Sequence, residues 1–268
     1  MDNKQTEKIK AMTEGGLILS LVMEEAVKKA QVGVSGLEIE ELVVNLMKKH
    51  GVEPSFKKVK GYRYATCVCI NDTVVHGVPT SYQFQKNDIV GIDIGVYHKG
   101  YHTDMSWSKV IETGLPDEET RKRKKFLGVG YQTLLLAIDQ VIKNNRVGNI
   151  SQAIEQNIKK NGLSIVKQLV GHAVGEKLHE FPQIPGILHK PLKETPLLTS
   201  GMTLAVEIIY AQKKADIVYK NADGWTIVTS DGSFAGLFET TVAILENETK
   251  IITPFGGLLK EPGFDIIS

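Results

Sequence analysis

Apolar residues recur at helical spacing over residues 6–29, where Ile9, Met12, Leu17, Leu21 and Val22 are separated by charges. Ser35 with Glu38 three positions on forms a capping pair, which predicts a second helix through Leu46 that stops near Gly51. The period then drops to two, and strands are expected over 62–70, 73–76, 89–97 and 100–110. The helical period returns behind Pro116-Asp117-Glu118-Glu119 and runs to about residue 143, followed by a shorter helix over 151–160. Further strands are expected over 164–170, 202–211, 225–229 and 239–245.

The order of long helix, Val-Gly link, short helix and strands occurs twice. A shift of 115 positions carries Val32, Gly33, Ile39 and Glu40 onto Val147, Gly148, Ile154 and Glu155. The chain therefore reads as one catalytic domain over 1–268, built from halves of about 1–114 and 115–250 with a C-terminal tail at 251–268. Helices alternating with antiparallel strands favour an α+β fold, a sheet covered by helices on one face, over a doubly wound parallel sheet.

Composition narrows the class. With 268 residues the chain can bury a full core, and 42% hydrophobic content is ordinary for a globular protein. Its 32 basic and 31 acidic residues leave a net charge of +1, which gives no general case for nucleic acid or membrane surfaces. No apolar run approaches the roughly 20 residues of a membrane helix, and the polar start lacks a signal-peptide core. Cys67 and Cys69 are too few for a zinc site and badly spaced for a disulfide, so reduced thiols in a cytoplasmic protein are expected.

The chemistry gathers around lone acids in apolar surroundings. Asp93 and Asp104 flank a His98-Lys99-Gly100 turn. With His98 and Lys99 as the two turn residues they lie directly opposite, about 5 Å apart between β-carbons. Two facing carboxylates repel unless one is protonated or a cation lies between them. Glu207 interrupts the apolar run 202–209, Glu239 heads another, and His172 sits between Gly171 and Ala173 after a third. Burying an unpaired carboxylate is costly, so a partner is expected, and no lysine or arginine occurs from 202 to 212. Four carboxylates and one imidazole suit two divalent ions of the manganese, iron or cobalt type, with zinc also compatible.

These residues, with Asn71-Asp72-Thr73-Val74-Val75-His76-Gly77-Val78-Pro79, His179-Glu180 and Phe238-Glu239-Thr240, resemble the type I methionine aminopeptidases of the pita-bread metallopeptidases, over nearly the whole chain. The resemblance implies a pita-bread fold of two pseudo-symmetric halves forming a curved antiparallel sheet, with the active site at its centre. It implies a hydrolase that removes N-terminal methionine from peptides and nascent proteins by attack of a metal-activated water on the first peptide carbonyl. Asp104 and Glu239 would bridge two divalent ions (Co, Mn, Fe, Zn or Ni type), Asp93 would hold one, and His172 with Glu207 the other. Glu207 would also shuttle a proton, His76 would face the scissile amide, and His179 would stabilise the oxyanion. The methionine pocket maps onto Val59, Tyr62, Cys67, Leu178 and Trp225, and a sodium or potassium ion is implied near Asn71 and Thr73. N-terminal methionine peptides and nascent chains are the expected partners of a monomer, with no membrane and no specific DNA contact.

Each residue also has a plainer reading. Asp93 and Asp104 could form a solvated hairpin face, His172 and His76 could be structural, and Tyr62 and Trp225 could be core aromatics. The basic run Arg121-Lys122-Arg123-Lys124-Lys125 reads as a solvated helix face, with ribosomal RNA as its functional alternative. Gly128-Val129-Gly130 reads as helix packing, because no strand precedes it as a phosphate loop requires. Three positions depart from the commonest family pattern: Ala173, which would add a methyl near the metals, Ile208-Ile209, and Thr240. The competing functions are a proline-directed aminopeptidase of the same fold and a non-catalytic pita-bread binding protein. The short spacing from Glu207 to Glu239 favours type I over type II relatives, which insert a helical segment there.

Overall fold

The computed structural model describes residues 2–220 and 222–260. Helices α1 (Asn3–Lys29) and α2 (Gly36–His50) lead into strands β1 (Glu53–Pro54), β2 (Thr66–Ile70), β3 (Thr73–Val75), β4 (Ile89–His98) and β5 (Tyr101–Val110). Helices α3 (Glu118–Ile138) and α4 (Val147–Lys160) then precede β6 (Ser164–Ile165), β7 (Val170–Ala173), β8 (Glu180–Pro185), β9 (Thr203–Ala211), β10 (Ile217–Tyr219), β11 (Ile227–Thr229), β12 (Ala235–Ile244) and β13 (Thr249–Ile251). Among the described residues, ten strands form one antiparallel sheet with the central order β1-β4-β5-β12-β9-β7-β8, and β10-β11-β3 form a smaller one. The two halves meet where β5 pairs with β12.

Local chemistry sets the helix ends. Ser35 and Glu38 exchange hydrogen bonds in a capping box, and Gly51 closes α2 in the left-handed region at φ 68°. The repeat carries through to contacts. Glu40 on α2 accepts from the backbone N–H groups of Ala65 and Thr66, and Glu155 on α4 accepts from that of Leu188. Ile39 and Ile154 beside them are both buried.

The helices cover one face of the sheet. On that face Trp107 packs edge-on against Tyr131 and Phe238 and stacks on Phe255. Tyr210 is fully buried and donates to the Phe126 carbonyl at 2.9 Å. Its ring occupies the space that a β-carbon on Gly130 or Gly236 would need, 2.4 and 2.5 Å away. The glycine step in α3 thus serves helix–sheet packing.

Several boundaries shift from expectation. The helix that opens near Pro116 stops at Ile138, and Asn144 beyond it has φ 74°. The 164–170 segment divides into β6 and β7. Strand β8, with Pro182 and Pro185, tolerates two prolines because it is an edge strand. The tail is partly core: β13 pairs with β12, and Phe255 and Leu258 are buried. Residues 261–268 of that expected tail lie outside the described residues.

Candidate metal centre and substrate cavity

The hairpin register differs from the expected one. His98 pairs with Tyr101, so the turn residues are Lys99 and Gly100, at φ 49° and 92°. A tight two-residue hairpin turn takes positive φ at both positions, and glycine supplies the second without strain. Asp93 therefore pairs with Ser106, and Asp104 with Gly95. The aspartates share a face but sit diagonally, a spacing of about 7–8 Å between Cα atoms rather than direct opposition.

Strand pairing then collects the site in two rows. In one, Cys67 on β2 pairs with Asp93 on β4, Asp93 with Ser106 on β5, Ser106 with Glu239 on β12, and Glu239 with Glu207 on β9. In the other, the Asp104 N–H donates to Thr241 Oγ1 at 2.9 Å, Thr241 pairs with Ala205, and Ala205 pairs with His172. The rows are two residues apart, so their side chains rise on one face, opposite the helices. Donor atoms of Asp104, His172 and Glu239 lie within 4.8 Å of one another.

Cys67, the four acids and His172 from these rows form the floor of a cavity of about 270 Å³. All twelve residues expected for ligation, catalysis and methionine binding border it: Asp93, Asp104, His172, Glu207 and Glu239; His76 and His179; and Val59, Tyr62, Cys67, Leu178 and Trp225. The last five belong to an apolar cluster that also contains Phe56. Tyr62 meets Trp225 edge-on at 5.0 Å and donates its hydroxyl to the Thr66 carbonyl at 2.8 Å. Asn71 and Thr73 lie away from this cavity, and the Asn71 side chain binds Asp88 and the Ile89 N–H.

The histidines are held by their backbones. His76 has φ 55°, and a β-carbon on Gly77 would come within 2.3 Å of the Val68 carbonyl, so the turn fits only against β2. His172 Nδ1 lies 3.0 Å from the Ala173 carbonyl, which can only accept. Nδ1 therefore carries the proton, and the lone pair is on Nε2, 4.0 Å from Glu239 Oε1. The His172 and His179 rings meet edge-on at 4.4 Å, with His179 at the exposed mouth.

The electrostatics call for cations. Burial pushes the Asp93 carboxyl up to about 7, against hydrogen bonds from Ser106 and the Ile94 backbone. Burial also raises Asp104, Glu207 and Glu239 well above the carboxylate range, and mutual repulsion adds to each. Burial lowers His172 to about 4. Among the described residues no lysine or arginine pairs with any of the four acids, and Asp93 Oδ1 is buried without a hydrogen-bond partner. Oxygen-rich donors, a correctly oriented imidazole and an open carboxylate oxygen fit divalent metal ions.

Two residues escaped the sequence reading. Ser106 is fully buried between two acids, and its one signal was its place two positions beyond Asp104 on the same face. Phe56 was hidden because its neighbour on the sheet is a glycine: a β-carbon on Gly95 would come within 3.1 Å of its ring. The departures also look different in place. Ala173 faces the helix-side core rather than the cluster of acids, and Ile208 is buried there too. Thr240 donates to the Thr253 carbonyl at 2.9 Å, away from the site, so only Ile209 reaches the cavity. Four of the five residues in the basic run have partners within the chain. Arg121 donates to the Pro116 carbonyl, Lys122, Arg123 and Lys124 pair with Glu118, Glu119 and Glu112, and Arg123 also stacks on Phe234.

Fold and donor set together define a metal-dependent hydrolase of the pita-bread type. Residues 10–246 match metallopeptidase family M24, and the chain belongs to that family. It is 36% identical to methionine aminopeptidase 1 of Bacillus subtilis over 250 residues, which is 93% of this chain and 98% of that one. The crystal structure of methionine aminopeptidase from Thermotoga maritima superposes with a TM-score of 0.85 at 34% identity, covering 92% of this chain and 96% of that one. Prolidase from Pyrococcus furiosus shares the fold at a TM-score of 0.72 and 21% identity, but the match covers only 64% of that longer chain. No helix among the described residues is long and apolar enough to cross a membrane.

Proposed function

We propose that this protein is a methionyl aminopeptidase, hydrolysing the bond after an N-terminal methionine in peptides and nascent chains. The observation that carries the reading is the junction of the two strand rows with the apolar cluster. A cation-demanding acid floor opens directly onto a seat lined by Val59, Tyr62, Cys67, Leu178 and Trp225, with Phe56 as an added wall. Near-full-length similarity to methionine aminopeptidases supports this specificity over the proline-directed alternative.

Asp93, Asp104, His172, Glu207 and Glu239 would hold two divalent ions, with Asp104 and Glu239 shared between them. When bound, the ions supply an acidified water as nucleophile and neutralise the acids. The apolar cluster takes the methionine side chain and sets the first carbonyl above the acid floor. Glu207, which keeps some surface open to the cavity, accepts a proton at its carboxylate and passes it on. His76 faces the scissile amide, and His179 steadies the carbonyl oxygen as charge develops. The low basicity of His76, caused by burial and by His179, keeps it neutral near pH 7, able to donate one hydrogen bond. A sodium or potassium ion at Asn71 and Thr73 rests on family resemblance alone.

The test is hydrolysis of Met-Ala-Ser by the metal-stripped protein resupplied with manganese, cobalt or iron. Methionine release that depends on metal and disappears in Asp104→Ala is the expected result. If the wild-type protein binds no divalent metal and leaves the peptide intact, the enzyme reading fails.

A further inference from the structure

Ser106 has no role in the ligand set, yet strand register places it between two of the ligands. It pairs with Asp93 on one side and with Glu239 on the other, and it is fully buried. Its Oγ donates to Glu239 Oε2 at 3.0 Å, and strand pairing sets it beside Asp93. A hydroxyl has one proton, so it donates fully to only one carboxylate at a time. The consequence is an uneven division of the acid oxygens. Glu239 Oε2 is held by Ser106, while Oε1 faces His172 Nε2 at 4.0 Å. Asp93 keeps Oδ1 free of any hydrogen bond.

We propose that Ser106 is a positioning residue of the metal centre. Its hydroxyl anchors one oxygen of Glu239 beside Asp93, so that Glu239 Oε1 stays turned toward His172 and Asp93 Oδ1 stays open for a cation. Without it, Glu239 can rotate about its last torsion, which has a broad minimum, and both oxygens must be ordered by the cations themselves. Hydrogen-bond partners that orient metal ligands typically contribute 10–100-fold to metal affinity. This inference rests on the metallopeptidase reading.

The same strand offers an internal control. Ser108 lies two residues on, on the same face and almost as deeply buried, but its hydroxyl donates to the Leu237 backbone carbonyl at 2.7 Å. Both serines are lost-hydroxyl sites of similar burial; only one touches acids of the centre. Titration calorimetry with manganese on the metal-stripped full chain compares wild type, Ser106→Ala and Ser108→Ala. The expected result is a 10–100-fold loss of manganese affinity in Ser106→Ala, with Ser108→Ala within about twofold of wild type. At saturating manganese, the KM of Ser106→Ala for Met-Ala-Ser should match wild type, because the methionine seat is untouched. Unchanged affinity in Ser106→Ala overturns the proposal, and so does an equal loss in Ser108→Ala, which would trace the effect to strand packing. Should Ser106→Ala fail to fold, Ser106→Cys, a weak donor of similar shape, is expected to bind manganese with reduced affinity, and wild-type affinity there would refute the role. Wild-type protein that takes up no manganese would sink the metallopeptidase reading instead, a separate failure.

Discussion

Replacing Asp93 with asparagine is expected to stabilise the metal-free protein while destroying its response to metal. Burial holds the folded carboxyl at about 7, whereas an unfolded chain titrates near 3.9. A raised carboxyl makes the folded state bind more protons than the unfolded state, so its stability is full below about pH 4 and is lost as pH rises toward 7. A rise of that size corresponds to about 4 kcal/mol of destabilisation at pH 8, falling to about 1–2 kcal/mol at pH 5. Asparagine has the same shape and carries no charge. At 2–4 °C per kcal/mol for a domain of this size, the metal-free variant should melt roughly 8–16 °C above wild type at pH 8, and only a few degrees above it at pH 5. Relief of Asp104 and Glu239, which Asp93 also repels, adds to the gain. With manganese the order should invert at pH 5, and the gap should narrow sharply at pH 8. Wild type gains about 3 kcal/mol at 100 times its dissociation constant, and the variant gains much less. Calorimetric melts at both pH values, after chelation and after manganese addition, read all four states. A metal-free variant that melts below wild type at pH 8, or that gains as much from manganese, would refute the reasoning.

Two more expectations follow from the packing. Trp225→Ala opens one wall of the apolar seat, so kcat/KM for Met-Ala-Ser should fall at least tenfold while manganese affinity holds; peptide kinetics with parallel calorimetry separate the two. Gly130→Ala forces a methyl to within 2.4 Å of the Tyr210 hydroxyl and should cost about 1–3 kcal/mol, read as a shift in urea midpoint.

The candidate ligands were legible because each is a local anomaly. Glu207 and Glu239 are single acids in apolar strands, and His172 stands among small residues at the end of one. Desolvation makes such placements costly, so their presence signals a partner before any fold is known. Phe56 gave no such signal, since an aromatic beside a short helical turn is ordinary, and only the missing side chain of Gly95 admits it to the cavity. Ala173 and Thr240 misled for the opposite reason: they adjoin candidate ligands in sequence, but strand alternation sends them to the other face.

The order of amino acids alone indicates where helices and strands lie, which face of each strand carries acids, and which five side chains are candidate metal ligands in the proposed enzyme. Those follow from periodicity and desolvation, which act within one segment. Register is left open. Moving the turn from His98-Lys99 to Lys99-Gly100 slides the pairing by two residues, and such a slip leaves every side chain on its original face. Alternation is blind to it. Turn geometry at Lys99 and Gly100, together with pairing of β5 to the distant β12, decides that Ser106 rather than Asp104 stands opposite Asp93. The two aspartates are thereby set apart on a diagonal, with a hydroxyl between Asp93 and Glu239.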